Sequence, residues 1–293
     1  MAESTPLLPR ANKGHHDAPI FARVCHSPWS SISQQSLMVY RGLIAVFMIV
    51  IGSMSLDHAI NHTEHGGQVF PFVASNVSWV MQTIYHIITC IWTTQQVTAP
   101  KAHHSNERSS GYAVRSQEEE SGNYFIEMAK GIFKIPRNTF WNGTVFTMFY
   151  TCVTTFPFVI TFMHWFVLDG ANYKDHGPFT NFLIFNRNTV NSFIALIEIF
   201  ILSSVRKQLP VGRYVAGLNV VCLAYFGWFT FGEFVTGRNI YKMFDPQHLD
   251  GRSKFLYICV TNGITSLMYI VQFGMHDLRE YLTSTAAGGH QGR

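Results

Sequence analysis

His86, His164, Glu198 and Glu233 are ionisable residues set inside long apolar runs of this chain. A titratable group in hydrocarbon is costly, so each is a candidate for function. Around His86 the pattern is denser. Ser75, Trp79, Gln82 and His86 stand at offsets of four, seven and eleven, which on a helix is one face. A hydroxyl on such a face is a nucleophile once a base removes its proton. Gln and His at those positions also serve as packing contacts that bridge polar groups of neighbouring helices. Both readings stand at this point. Eleven residues at 1.5 Å each put Ser75 about 16 Å from His86 along the axis. A general base must come within about 3 Å of the proton it takes. Any base for Ser75 therefore comes from another helix.

The elements that must position these groups are membrane helices. The chain has 293 residues, 47% of them hydrophobic, and only 13% are charged. Soluble domains carry about 25% charged residues. Apolar runs at 39–55, 73–91, 146–168, 190–204, 214–235 and 255–273 predict six transmembrane helices in an all-α polytopic fold. Pro157 frees the carbonyl of Val153 and predicts a kink in the third. The first run begins too late for a cleavable signal peptide. Residues 1–37 read as a mobile cytosolic tail, 38–275 as the membrane domain and 276–293 as a second cytosolic tail. A polar insert at 95–137 separates the second and third runs and reads as a solvated loop. Most Lys and Arg fall before the first run, in that insert, in the fourth-to-fifth loop and in the C-terminal tail. Such a bias predicts both termini in the cytosol. It also accounts for the net charge of +4, so no nucleic-acid partner is implied.

With that orientation the second and fourth runs start at the lumenal side and the third ends there. Ser75, Asn188, His164 and the loop residue His176 are thereby expected in one layer. His86 falls deeper, and Glu198 near mid-depth, where it needs a partner or a proton. The run from Asp57 to His65 reads as a polar lumenal loop. Its His58, His62 and His65 have helical spacing, but the box occurs once and precedes Gly66-Gly67, so no metal or cofactor is expected. Cys25, Cys90, Cys152, Cys222 and Cys259 predict no disulfide framework, because none lies in a lumenal loop. Asn61-His62-Thr63 is a sequon on the lumenal side, and Asn142-Gly143-Thr144 one on the cytosolic side. Glu3-Ser4-Thr5-Pro6-Leu7-Leu8 fits an acidic dileucine signal read by sorting adaptors, which would place the protein in vacuolar or endosomal membranes.

A set of short segments resembles one family across about 200 residues. Ser75 precedes Gln82 by seven positions. Phe156-Pro157 precedes His164-Trp165. Asn188-Thr189 precedes Glu198, and Tyr225 and Trp228 precede Gly237-Arg238-Asn239-Ile240-Tyr241-Lys242. Order and spacing are similar to those of the androgen-induced family of intramembrane threonine hydrolases, the androgen-dependent TFPI-regulating proteins. The resemblance implies hydrolysis of fatty-acid esters within the bilayer through a threonine and a histidine. Here the threonine position is Ser75 and the histidine position Asn188; Asn239 and Lys242 replace a Trp and a Pro. A serine hydroxyl can replace a threonine nucleophile. An amide has no basic nitrogen, so Asn188 would orient a carbonyl or donate to an oxyanion. His164 or His176 would then supply the base, and Trp79, Gln82 and Glu198 would contact the substrate. The other reading is a catalytically silent protein that binds membrane lipid or a partner in the same cavity. A transporter is a weaker third reading, since the chain has no internal inverted repeat.

Overall fold

The fold follows from apolar helices that turn their polar residues inward. It is described from a computed structural model covering residues 20–63, 66–98, 140–168, 177–238, 240 and 251–288. Helices α1 (Ile20–Val24), α2 (Gln34–His62), α3 (Gly66–Val69) and α4 (Ala74–Thr98) come first. Helix α5 (Phe140–Phe162) continues as a wide π turn, Met163–Leu168. Helix α6 covers 178–202 in four pieces: Pro178–Phe185, a π turn at Asn186–Val190, Asn191–Ile197 and a second π turn at Glu198–Leu202. Helices α7 (Val211–Thr236) and α8 (Gly251–Gly288) complete the chain. Among the described residues all regular structure is helical.

Four helices are long and apolar enough to cross a membrane: Gln34–His62, Gly143–Val167, Val211–Thr236 and Lys254–Ser284. Their lipid-compatible faces are plain. On α2, Val39, Leu43, Val46 and Val50 are exposed, while Leu37, Arg41, Ala45, Met48 and Ser55 are buried on the opposite stripe. Helices α7 and α8 expose Val220, Phe231, Phe234, Leu256, Leu267 and Ile270. Contiguous apolar surface of this kind suits an integral membrane protein. Helix α4 is the inverse. It buries Ser75, Ser78, Gln82, His86, Thr89 and Thr93, and it packs along α2 on one side and α5 on the other.

Local chemistry sets several of these elements. Ser33 caps α2 by accepting from the Ser36 backbone N–H. Thr147, Thr151 and Thr154 each return their hydroxyl to the carbonyl one turn back, so α5 carries them at no hydrogen-bond cost. The helix runs on through Pro157 as one element. Gly237, at φ 64°, ends α7 by donating its N–H to the Glu233 carbonyl.

The sequence expectations differ from the structure at four places. The cytosolic tail expected to end at residue 37 is already folded from Ile20. Phe21, Val24 and Cys25 are buried in one cluster with Tyr85, Trp92, Tyr150 and Val205, because the bundle end needs an apolar cover that a hydropathy window does not register. Residues expected as a lumenal loop, Asp57 to His62, extend α2, and Asn61 donates to Asp57 one turn back. The fourth run, expected at 190–204, begins at Pro178, since Phe179, Phe182 and Phe185 continue its outer face. The C-terminal tail expected from 276 continues α8 to Gly288, with His276 and Arg279 buried. The dileucine segment, His65, His176, Lys242 and the insert from 99 to 139 lie outside the described residues.

Candidate functional site

A cavity of about 600 Å³ opens between α4, α5, α6, α7 and α8. Its wall is largely apolar, from Met81, Phe156, Val159, Val221, Tyr225 and Phe229 among others. Three of the expected site residues line it: Ser75, Asn188 and His164. They come from three different helices: Ser75 from α4, His164 from the π turn after α5 and Asn188 from α6. Two of them, His164 and Asn188, lie within π turns. Such wide turns recur at functional sites, because the extra residue re-aims a side chain out of the regular helical register.

Each group is held differently. Asn188 donates Nδ2 to the Ile184 carbonyl at 2.9 Å, and its own carbonyl accepts from Thr161. Thr161 also pairs with Ser192 at 2.6 Å, and Trp165 Nε1 donates to Thr189 at 2.8 Å. Thus α5 and α6 are stitched together around Asn188. One N–H and the side-chain oxygen of Asn188 remain for the cavity. Ser75 is 8% exposed, and no described residue hydrogen-bonds its hydroxyl. Arg187 donates to Asn76 at 2.6 Å, and Asn76 to the Phe70 carbonyl at 2.8 Å, which fixes the first turn of α4 against α6. Above the cavity, Tyr225 donates to the Phe72 carbonyl and Trp228 Nε1 to the Pro71 carbonyl. Phe72 itself lies against Gly232, where an added Cβ would sit 2.3 Å from its ring.

Trp79, Gln82 and Glu198, expected as substrate contacts, are elsewhere. Trp79 donates Nε1 to the Met48 carbonyl of α2 at 3.0 Å, beside Gly52. Gln82 donates to the Asn191 carbonyl at 3.3 Å, and Asn191 to Ser78 at 3.2 Å. Glu198 accepts from Tyr85 at 2.5 Å and from Arg41 at 3.3 Å. These are helix-to-helix contacts, and polar side chains in a bundle serve that purpose when they face neighbouring helices rather than a cavity. The expectation that Glu198 needs a partner is met by Arg41.

Sequence reasoning missed the group at the far end of α6. Arg41 also donates to the Val24 and Leu202 carbonyls. Arg279 donates to the carbonyls of Ile199, Ser203 and Val205. Ser27 and Trp29 donate to Ile201 and Phe200, both at 2.7 Å. Helix ends leave carbonyls without intrahelical donors, and here two guanidinium groups and the segment after α1 meet them. The readable signal was Arg41 in one apolar run and Glu198 in another. Nearby, burial pushes the Cys25 thiol up to about 11.

Of the candidate histidine box, the described members His58 and His62 stack on one another. The rings of His58 and His62 are 5.3 Å apart, and His58 Nε2 lies 3.1 Å from the Thr180 hydroxyl. No cluster of three or more metal-ligating side chains occurs among the described residues. No protein-family model, curated protein or solved structure matches the chain.

Proposed function

We propose that this is a six-span intramembrane protein that binds one amphipathic lipid, a fatty-acid ester in the first instance. The acyl chain lies in the cavity, and the ester carbonyl lies at Ser75, Asn188 and His164. One observation carries the reading: polar side chains from three helices, Ser75, His164 and Asn188, converge on one largely apolar cavity of about 600 Å³. That is the form of a small-molecule site, apolar walls with a few placed polar groups. The test is binding of a fluorescent fatty-acid ester to the purified full chain in detergent. Ala224→Trp, which fills the cavity from α7, should abolish binding while the thermal unfolding transition is kept. Unchanged binding by that variant would overturn the site.

A second reading, ester hydrolysis, is favoured by Ser75 and His164 sharing that wall. It also fits membership of the androgen-induced hydrolase family. Ser75 Oγ attacks the ester carbonyl while His164 takes its proton. The tetrahedral oxyanion takes a hydrogen bond from Asn188. His164 returns the proton to the departing alcohol, and water then cleaves the acyl-serine by the same base. Unliganded sites often hold the nucleophile and base apart until substrate binds. Labelling of Ser75 by a fluorophosphonate, lost in Ser75→Ala, supports hydrolysis; a wild type that takes no label and cleaves no lipid ester leaves binding alone. The same reading places both termini in the cytosol and the protein in vacuolar or endosomal membranes through Leu7 and Leu8. Glycosylation at Asn142 but not Asn61 would invert the topology. An unchanged distribution after Leu7 and Leu8 are replaced by alanine would remove the sorting signal.

A further inference from the structure

The polar stripe of α4 runs past the cavity. Ser75, Ser78, Gln82, His86, Thr89 and Thr93 follow at intervals of three or four residues, and all are buried. Eighteen residues of helix rise about 27 Å, nearly the full thickness of a hydrocarbon core. Thr89 and Thr93 are satisfied within the helix, by the Tyr85 and Thr89 carbonyls. The middle of the stripe is not. Gln82 Oε1, Asn191 Oδ1, both ring nitrogens of His86 and Glu198 Oε2 are buried with no hydrogen-bond partner among the described residues. Each of these residues is at least nine-tenths buried, and His86 is 0% exposed.

Left bare, each such atom carries the full desolvation penalty of a buried, unpaired polar group, and five of them gathered in one seam call for a polar occupant. Buried water is held where several polar groups converge. The spacing fits as well. Gln82 and His86 are separated by about 6 Å along the axis, roughly two hydrogen-bond lengths, the span of one bridging water. Asn191 and Glu198, seven residues apart on α6, leave about 10 Å. The stripe also has a mouth and a floor. Ser78 lines the cavity and accepts from Asn191. At the other end the Arg41–Glu198 pair and its backbone contacts close the path.

We propose that the seam between α4 and α6 binds a file of water that runs from the cavity past Gln82, Asn191 and His86 to the Glu198 carboxylate. The file gives a largely apolar cavity an internal supply of water and hydrogen-bonds His86, whose ring nitrogens bond no described residue. It follows from the bundle interior alone and holds whether or not the cavity takes a lipid ester.

Radiolytic hydroxyl-radical labelling of the full chain in lipid nanodiscs, read by mass spectrometry, tests it without any ligand. Radicals born from bound water oxidise the side chains beside it. His86 and Tyr85, both fully buried, should be oxidised several-fold faster than Tyr269, which is 2% exposed in an apolar cluster with Cys152 and Leu218. Gln82→Leu, which blocks the seam between cavity and His86, should lower His86 labelling several-fold and leave Tyr269 unchanged. Wild-type labelling of His86 and Tyr85 no faster than that of Tyr269 overturns the proposal, and this comparison needs no variant to fold. Labelling of His86 that survives Gln82→Leu overturns it too, since the water would then arrive by another way.

Discussion

The two ends of the α4–α6 pair bury polar groups on opposite terms. At the cavity end, Ser75 and Asn188 face open space, and the Ser75 hydroxyl bonds no described residue. At the far end, Arg41, Tyr85, Glu198 and Arg279 are locked to one another or to the last carbonyls of α6. Ionisable residues in a membrane are functional candidates by default. The contrast lies in what each group faces. Glu198 and Arg41 bond to each other across the helices, although Glu198 Oε2 and Arg41 Nε and Nη1 have no partner among the described residues; Ser75 and Asn188 line the cavity instead and are the proposed site.

The sharpest test is at the closed end. Glu198→Leu removes the carboxylate and leaves the Arg41 guanidinium buried without its counter-charge. Breaking a buried pair from one side costs about 3–5 kcal/mol, read as thermal unfolding in detergent. Glu198→Gln keeps an acceptor for Tyr85 and Arg41 and should unfold at a temperature between wild type and Glu198→Leu. Replacing both partners with apolar residues, Arg41→Met with Glu198→Leu, should recover most of the loss. Equal stability of the Gln and Leu variants would place Glu198 outside the architecture.

Cys25 gives that end a dependence on pH. Its folded value is raised to about 11 by burial, from an ordinary 9.0. A raised folded value means stability that is whole below pH 9 and declines as pH rises toward 11, because the unfolded chain loses its proton first. The difference amounts to about 3 kcal/mol at most. The loss of stability between pH 8 and pH 10.5 should therefore be smaller in Cys25→Ser than in wild type, and identical slopes would mean that the cover formed by residues 20–29 is open in solution. At the cavity end the constraint is shape instead. Gly232→Ala drives a Cβ into the Phe72 ring, with contacts at 2.3, 2.5 and 2.9 Å. Overpacking of this kind costs about 1–3 kcal/mol. Gly217→Ala meets only the mobile end of Met148 at 2.8 Å and should cost less. If the two alanines cost the same, the turn at Phe70–Phe72 is not fixed against α7.

Much of the cavity end was legible in the sequence, and little of the closed end. The starts of two apolar runs and the end of a third, read as helices that alternate in direction, suffice to predict Ser75, Asn188 and His164 at one level, and all three line the same cavity. The spacing of Trp79 and Gln82 marked a buried face but could not say whether it met a cavity or a helix. That choice depends on Gly52, which lets the Trp79 indole reach the Met48 carbonyl, a contact set by tertiary packing. The closed end was hidden because its arginines were read as topology signals near helix ends. Arg279 stands beyond the last apolar window, yet three backbone carbonyls hold it inside. Three wide turns, at His164, Asn188 and Glu198, leave no mark in hydropathy at all.

The smallest effect on stability is expected where the effect on function is largest. Ser75→Ala removes a hydroxyl that bonds no described residue, so stability should change by no more than about 0.5 kcal/mol. Asn188→His gives up the bond from Nδ2 to the Ile184 carbonyl, worth about 1 kcal/mol net, and places a basic nitrogen in the cavity. On the hydrolytic reading Ser75→Ala should abolish ester cleavage, because nucleophile and base act as a unit, and Asn188→His should raise the rate by adding a base beside the nucleophile. On the binding reading Ser75→Ala should weaken retention of a fluorescent ester and Asn188→His should release no product. A Ser75→Ala protein that is strongly destabilised would break the contrast drawn between the two ends, since it would show the hydroxyl to be part of the architecture after all. A Ser75→Ala protein that is stable and still cleaves esters would keep the contrast and move the chemistry to another residue of the cavity wall.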